Sequence, residues 1–148
     1  MSKESLDFRS SVYHTALSLS NAFMHSGTAS DLFLRENLEW LGKASNWSKF
    51  SATAALGVIH KGDLDHAMDL LGPYLPGADG NASASGGQFQ EGGALYALGL
   101  VNAGHGSGRP AEEYLIEKLK AASQEPVQHG AALGIGVALM GSGNAGQF

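Results

Sequence analysis

The residues in this 148-residue chain that could do chemistry are six histidines, two glycine-rich strings and a cluster of carboxylates. The histidines are His14, His25, His60, His66, His105 and His129. A zinc hydrolase holds its metal with two histidines four apart on one helical face, with a glutamate between them as base. No pair here has that spacing. His60 and His66 straddle a turn and could approach each other, but they read as helix-end or surface histidines. His25 and His60 are placed near helix C-termini, where the helix dipole favours a cation. Gly141-Ser-Gly-Asn-Ala-Gly146 fits the G-x-G-x-x-G string. That fingerprint binds pyrophosphate only where a strand delivers a tight turn to a helix start. Here a helix precedes it, so it reads as a C-terminal turn. Gly104-His-Gly-Ser-Gly108 lacks the Gly-Lys-Ser/Thr ending of a phosphate loop and reads as a turn too. There is no Gly-x-Ser-x-Gly elbow and no cysteine, which removes the usual nucleophiles, a disulfide framework and a cysteine zinc site. Glu112, Glu113 and Glu117 stand with Lys118 and Lys120. Acid–base work would need such carboxylates in a cleft with perturbed protonation. A solvated helix face, or one that selects a protein partner, suits them better. The sequence therefore assigns no catalytic, cofactor-binding or metal-ligating residue.

The elements that carry these residues are all helical. Val12, Ala16, Leu19 and Phe23 recur at spacings of three and four and predict a helix over about 10–25 that buries this stripe. Gly27 is placed to end it, and Thr28 or Ser30 to cap a second helix that Asp31 suits electrostatically. The second helix carries Leu34, Leu38 and Leu41 on one face, with Phe33 and Trp40 beside them. A third, over about 48–61, is apolar nearly all round and is expected to be buried. Trp40 and Trp47 bracket the junction and read as packing residues, with a partner anchor as the other reading. Asp63 is placed to cap a fourth helix with Leu64, Ala67, Met68 and Leu71 inward and Asp65, His66 and Asp69 outward. Residues 77–89 read as a flexible loop. A small-residue helix follows over about 91–103. Pro110 then opens an amphipathic helix with Tyr114, Leu115, Leu119 and Ala122 inward and its five charges outward. Pro126 opens the last helix, over about 127–140. No window alternates as a strand would.

This alternation repeats. Ala55-Leu-Gly-Val-Ile-His-Lys-Gly62, Ala97-Leu-Gly-Leu-Val-Asn-Ala-Gly104 and Gly134-Ile-Gly-Val-Ala-Leu-Met-Gly141 are three copies of one phrase, 42 and 37 residues apart. Gly57, Gly99 and Gly136 lie inside apolar helices; Gly62, Gly104 and Gly141 lie five residues later, at their ends. A period of this size marks stacked supersecondary units. Glycine inside a helix costs roughly 1 kcal/mol relative to alanine, which a neighbouring backbone at close range can offset. The fold class is all-α: a helical-repeat solenoid with small-residue helices inside and charged helices outside. The last copy has no amphipathic partner, so the chain is expected to be a piece of a longer protein. With a net charge of −5, nothing favours nucleic acid or an anionic membrane. The N-terminus has no signal-peptide core, and no run nears the roughly 20 apolar residues of a membrane span. Asn46-Trp-Ser48 and Asn81-Ala-Ser83 match a glycosylation pattern by chance in such a chain.

The stretch Asn37-Leu-Glu-Trp-Leu-Gly-Lys-Ala-Ser-Asn-Trp-Ser-Lys-Phe-Ser-Ala-Thr-Ala-Ala-Leu-Gly-Val-Ile-His-Lys-Gly62 is more specific than the repeat. With Phe23-Met-His-Ser-Gly-Thr upstream, and Glu91-Gly-Gly-Ala-Leu-Tyr-Ala-Leu-Gly-Leu and His129-Gly-Ala-Ala-Leu-Gly downstream, it resembles the largest non-ATPase scaffold subunits of the proteasome regulatory particle. The Gly/Ala/Ser loop after Pro76 is the main departure. The resemblance implies proteasome/cyclosome repeats, helix pairs that close into a toroid of two concentric rings. Residues 1–47 would lead into the toroid, and 48–148 would form about two and a half repeats. It implies a non-catalytic scaffold of the cytoplasm and nucleus that positions the ATPase ring, the lid and ubiquitin receptors, without a cofactor. Gly57, Gly99 and Gly136 would lie where inner helices touch, and Gly62, Gly104 and Gly141 where the chain turns outward. Exposed repeat ends are expected to let the isolated fragment self-associate. The rival readings are a free-standing peptide-binding adapter, the anaphase-promoting-complex scaffold that shares the repeat, and a nucleotide-using enzyme.

Overall fold

A computed structural model describes residues 11–37, 46–76, 87–105 and 108–140. In these the chain is all-helical: α1 (Ser11–Met24), α2 (Leu32–Glu36), α3 (Asn46–Ile59), α4 (Ala67–Leu71) with a 3₁₀ turn over Gly72–Tyr74, α5 (Gly87–Val101), α6 (Pro110–Ala121) and α7 (Glu125–Ala138). Four long helices, α1, α3, α5 and α7, lie side by side in sequence order, each against the next. The shorter α4 packs on α5, and α6 packs on α7 and α5 from outside. This is a two-layer helical repeat.

The core lies between the layers. Ile59, Leu71, Leu95, Leu98, Val101 and Leu115 are fully enclosed. α5 has α3 on one flank, α7 on the other, and α4 and α6 on its outer side, which is why it is apolar round most of its circumference and has little amphipathic character. α6 differs: Leu115 is enclosed while Glu113, Glu117 and Lys120 are in or near solvent.

Four expectations change. In α1 the stripe Val12, Ala16, Leu19 and Phe23 is on the surface, with Val12 and Phe23 72% and 70% exposed. The opposite face, with His14, Ser18, Asn21 and Ala22, is the buried one. Periodicity identifies residues that share a face; it does not say which face has a neighbour. Glu112 is buried, 5% exposed, because its carboxylate turns back to accept the Gly108 N–H at 2.6 Å at the start of α6. Helix four begins at Ala67 and not at Asp63, and its Met68 points outward. Residues 87–89, read as loop, already belong to α5. Leu38, Trp40, Leu41, Gly141 and the G-x-G-x-x-G string lie outside the described residues.

Candidate functional site

The features with the most specific geometry are the contacts between inner helices. A Cβ built on Gly57 would lie 2.5 Å from the Ala97 Cα. One on Gly99 would lie 2.6 Å from the Gly134 carbonyl carbon. Separations under 3.0 Å are not tolerated by real Cβ atoms, and here the obstacle is backbone. The contact is reciprocal. Gly93 of α5 backs onto Phe50 and Thr53 of α3, Gly130 of α7 onto Gly92 of α5, and Gly134 onto the Leu95 carbonyl. The same direction is kept throughout: Gly93 lies by Phe50, and Ala97, four residues on, lies by Gly57. Inner helices therefore run parallel, backbone against backbone.

Gly136 is different. Nothing lies within 4 Å of the place where its Cβ would be, and the residue is exposed. The expectation that it sits at a helix contact does not hold within this chain, because α7 meets α5 through Gly130 and Gly134. The signal for these missed contact residues is a pair of small residues four apart, Gly93/Ala97 and Gly130/Gly134.

The turn glycines act at the helix ends. Gly27, Gly62 and Gly104 have φ of +71°, +86° and +80°, the left-handed region that ends helices without a Cβ penalty. At the Gly27 and Gly62 turns the amides reach across to the next helix. Gly27 N–H donates to Val58 O at 3.1 Å, Ala29 N–H to Ile59 O at 3.1 Å, and Gly62 N–H to Val101 O at 3.0 Å. The last carbonyls of a helix have no partner within it, so the turns at Gly27 and Gly62 satisfy some of those of the next helix. Between α1 and α3 the clamp gains a buried side-chain pair, His60 Nε2 to Asp31 Oδ2 at 3.2 Å. His60 and His66 do not meet. His66 Nδ1 instead lies 2.8 Å from Asp63 Oδ1 in solvent.

That exposed pair gives a pH prediction. Hydrogen bonding to Asp63 raises the pKa of His66 above 6.5, and the same bond lowers that of Asp63 below 3.8. The histidine's contribution is complete below pH 6.5 and is lost as pH rises through its raised folded value. The aspartate's is present above pH 3.8 and is lost as pH falls through its lowered one. Solvent screening keeps both small. An NMR titration should place the His66 midpoint above 6.5, and Asp63→Asn should bring it back toward 6.5. An unchanged midpoint would remove the pair.

Rings gather at the N-terminal ends of the inner helices. Trp47 meets Phe50, Phe89 and His129 edge-on at centroid distances of 5.3, 5.1 and 5.5 Å, and Phe50 lies 6.2 Å from Tyr96. Trp47 is 46% exposed, packed on one side and open on the other. A cavity of about 310 Å³ opens elsewhere, beside Glu91, lined also by Pro76, Lys118, Gln124 and Val127. Burial raises the pKa of Glu91. Burial also raises that of Tyr114, with help from the charges of Glu117 and Glu91. This lining offers a carboxylate and an ammonium but no histidine to act as base. Among the described residues no group of three His, Cys, Asp or Glu could hold a metal ion, and no helix is long and apolar enough to cross a membrane.

No family model matches the chain. Curated proteins do. The chain is 52% identical over 95% of its length to 26S proteasome non-ATPase regulatory subunit 1 homolog B of Arabidopsis thaliana. It is 54% identical over 95% to 26S proteasome regulatory subunit rpn2 of Schizosaccharomyces pombe. Against the Saccharomyces cerevisiae RPN2 it is 49% identical over 97%. It spans only 14% of the length of the first two and 15% of the third.

Proposed function

We propose that this chain, which belongs over its matched length to the proteasome non-ATPase regulatory subunit 1 and Rpn2 family, is a non-catalytic scaffold segment of the proteasome regulatory particle. The observation that carries the reading is identity near 50% across nearly the whole chain to regulatory subunits from plant and fungi. The stacked inner helices support it. Backbone contacts such as Gly57 on Ala97 leave little freedom for neighbouring units to slide, which suits a part that sets the positions of others. In this reading residues 48–148 form about two and a half repeats of a toroid, and 1–47 lead into them, with α1 already in the inner layer. The assembly it serves holds the ATPase ring, the lid and ubiquitin receptors for ubiquitin-dependent degradation, in cytoplasm and nucleus, without a cofactor. The exposed charges of α6 and the open side of Trp47 are the surfaces offered to those partners.

The test is a segment exchange. This chain replaces the matching 15% of Saccharomyces cerevisiae RPN2, and extracts are resolved by native electrophoresis with a peptidase overlay. Regulatory particle assembled on the core in normal amount is the expected result. A stable chimaera that captures neither ATPase nor lid subunits would leave a free-standing adapter as the better reading.

A further inference from the structure

The cavity beside Glu91 is walled by elements from the middle of the stack. Pro76 follows the 3₁₀ turn, Glu91 comes from α5, Lys118 and Ala122 from the end of α6, and Gln124 and Val127 from the turn into α7. At about 310 Å³ it is at the small end of the roughly 300–1,000 Å³ range of ligand sites. Glu91 and Lys118 are its two charged groups, and they differ. The Lys118 ammonium lies over the Tyr114 ring, 5.0 Å from the centroid, where the ring face attracts it. Glu91 has no such partner. Among the described residues nothing forms a hydrogen bond or an ion pair with it. Burial raises its pKa, and no neighbouring cation pulls it back. A carboxylate drawn out of water without a partner is disfavoured in its charged form. The other walls are small and mostly apolar: Val127 is buried, Ala122 and Pro76 half-buried. Gln124 is exposed and adds a neutral carboxamide, whose oxygen accepts hydrogen bonds.

We propose that this cavity receives a basic side chain, lysine or arginine, of a partner protein, with the alkyl stem along Val127, Ala122 and Pro76 and the cation on Glu91. Charge decides the occupant. An acidic or phosphorylated chain would set its anion beside Glu91, and the one cation in the lining is already held over a ring. An apolar chain would take Glu91 further from water and still leave it unpaired. A basic chain offsets both costs. Its charge meets the carboxylate in a charge-assisted hydrogen bond, roughly twice as strong as a neutral one. Its methylenes cover the apolar walls, as the stems of long basic side chains do elsewhere. The inference concerns this cavity alone and holds whichever assembly the chain serves.

Amide NMR on the 148-residue chain tests it with two blocked pentapeptides, alanine throughout except for a central lysine in one and a central norleucine in the other. The lysine peptide, at millimolar concentration, should shift the amides of Ala122, Gln124 and Val127. Norleucine in place of lysine, or Glu91→Gln in the chain, should each weaken binding at least about tenfold, the loss of one charge-assisted contact. Asp65→Asn removes the same charge elsewhere on the surface and should leave affinity within about twofold, since a distant exposed charge is screened. The Glu91 carboxyl midpoint of the wild type, read by carbon NMR, should fall when the lysine peptide is saturating, because an adjacent cation favours the charged form. That readout stands even if Glu91→Gln fails to fold. Equal binding of the two peptides, a Glu91→Gln chain that binds as the wild type does, a Glu91 midpoint that does not move, or no shift at the three amides overturns the proposal. A loss in Asp65→Asn as large as in Glu91→Gln does so too, because it would reduce the effect to general attraction by an acidic chain.

Discussion

Gly99→Leu is expected to lower stability by about 3 kcal/mol, the upper end of the usual overpacking cost. In a domain of this size that is a fall in Tm of roughly 6–12 °C. A Cβ at this position would lie 2.6 Å from the Gly134 carbonyl carbon, before any further side-chain atom is counted. Overpacking is commonly relieved by a rotamer change in the neighbour. Gly134 has no side chain to rotate, so α5 and α7 must separate along the contact. That would also loosen Gly130 from Gly92, two more backbones in register with the first. The paired control is Gly136→Ala. Its Cβ enters open space, and removing glycine from an exposed helix is worth up to about 1 kcal/mol. Urea denaturation followed by circular dichroism should therefore move the two midpoints in opposite directions. Equal midpoints would mean that α5 and α7 do not touch through these residues.

This contrast shows how much could be read from residue order alone. The three-fold phrase marks Gly57, Gly99 and Gly136 as equivalent, and by position in the repeat they are. Equivalence does not supply a neighbour: Gly57 has α5 in front of it and Gly99 has α7, but no described helix faces Gly136. α1 presents the same problem in another form. Its spacing predicts a helix correctly, yet the face that meets α3 is the one with His14, Ser18 and Asn21. Thr15 hydroxyl hydrogen bonds to Ser48 there at 3.3 Å, so the contact is partly polar, and an apolar stripe on the far side is no guide to it. Charges mislead for a related reason. Glu112 reads as one of five solvated residues, but a carboxylate three residues into a helix can fold back onto a free amide, and that bond draws it inside. Asp31 reads as a charge that suits the positive start of α2. Its observed partner, His60, is 29 residues away and reaches it only because the turn after α1 is clamped to the end of α3. Local periodicity, then, specifies elements and their order. Which face is covered depends on neighbours set by the stacking.

Phe50→Ala is the second large effect, about 3–5 kcal/mol. The ring is 6% exposed. It occupies space that α5 leaves empty by having glycine twice in succession: a Cβ on Gly92 would lie 3.0 Å from the Phe50 ring, and Gly93 backs onto the Phe50 carbonyl. From there the ring reaches past α5 to His129 of α7, 5.8 Å between centroids. One side chain thus ties three inner helices together, and its loss leaves a void that glycines cannot fill. The void should also release Trp47, whose edge-on contact with Phe50 is one of three that hold it. In a Trp40→Phe background, Trp47 is the sole tryptophan, and its emission should shift to the red while the chain is still folded. Phe50→Leu separates the two consequences. It restores most of the volume, so stability should recover by more than half, yet it offers no ring edge, so the emission should stay shifted. If Phe50→Ala costs less than about 1 kcal/mol, then the cavity term that dominates such truncations is absent. The glycine pair on α5 would in that case serve only the backbone contacts with α3 and α7, and Phe50 would be a passenger on them.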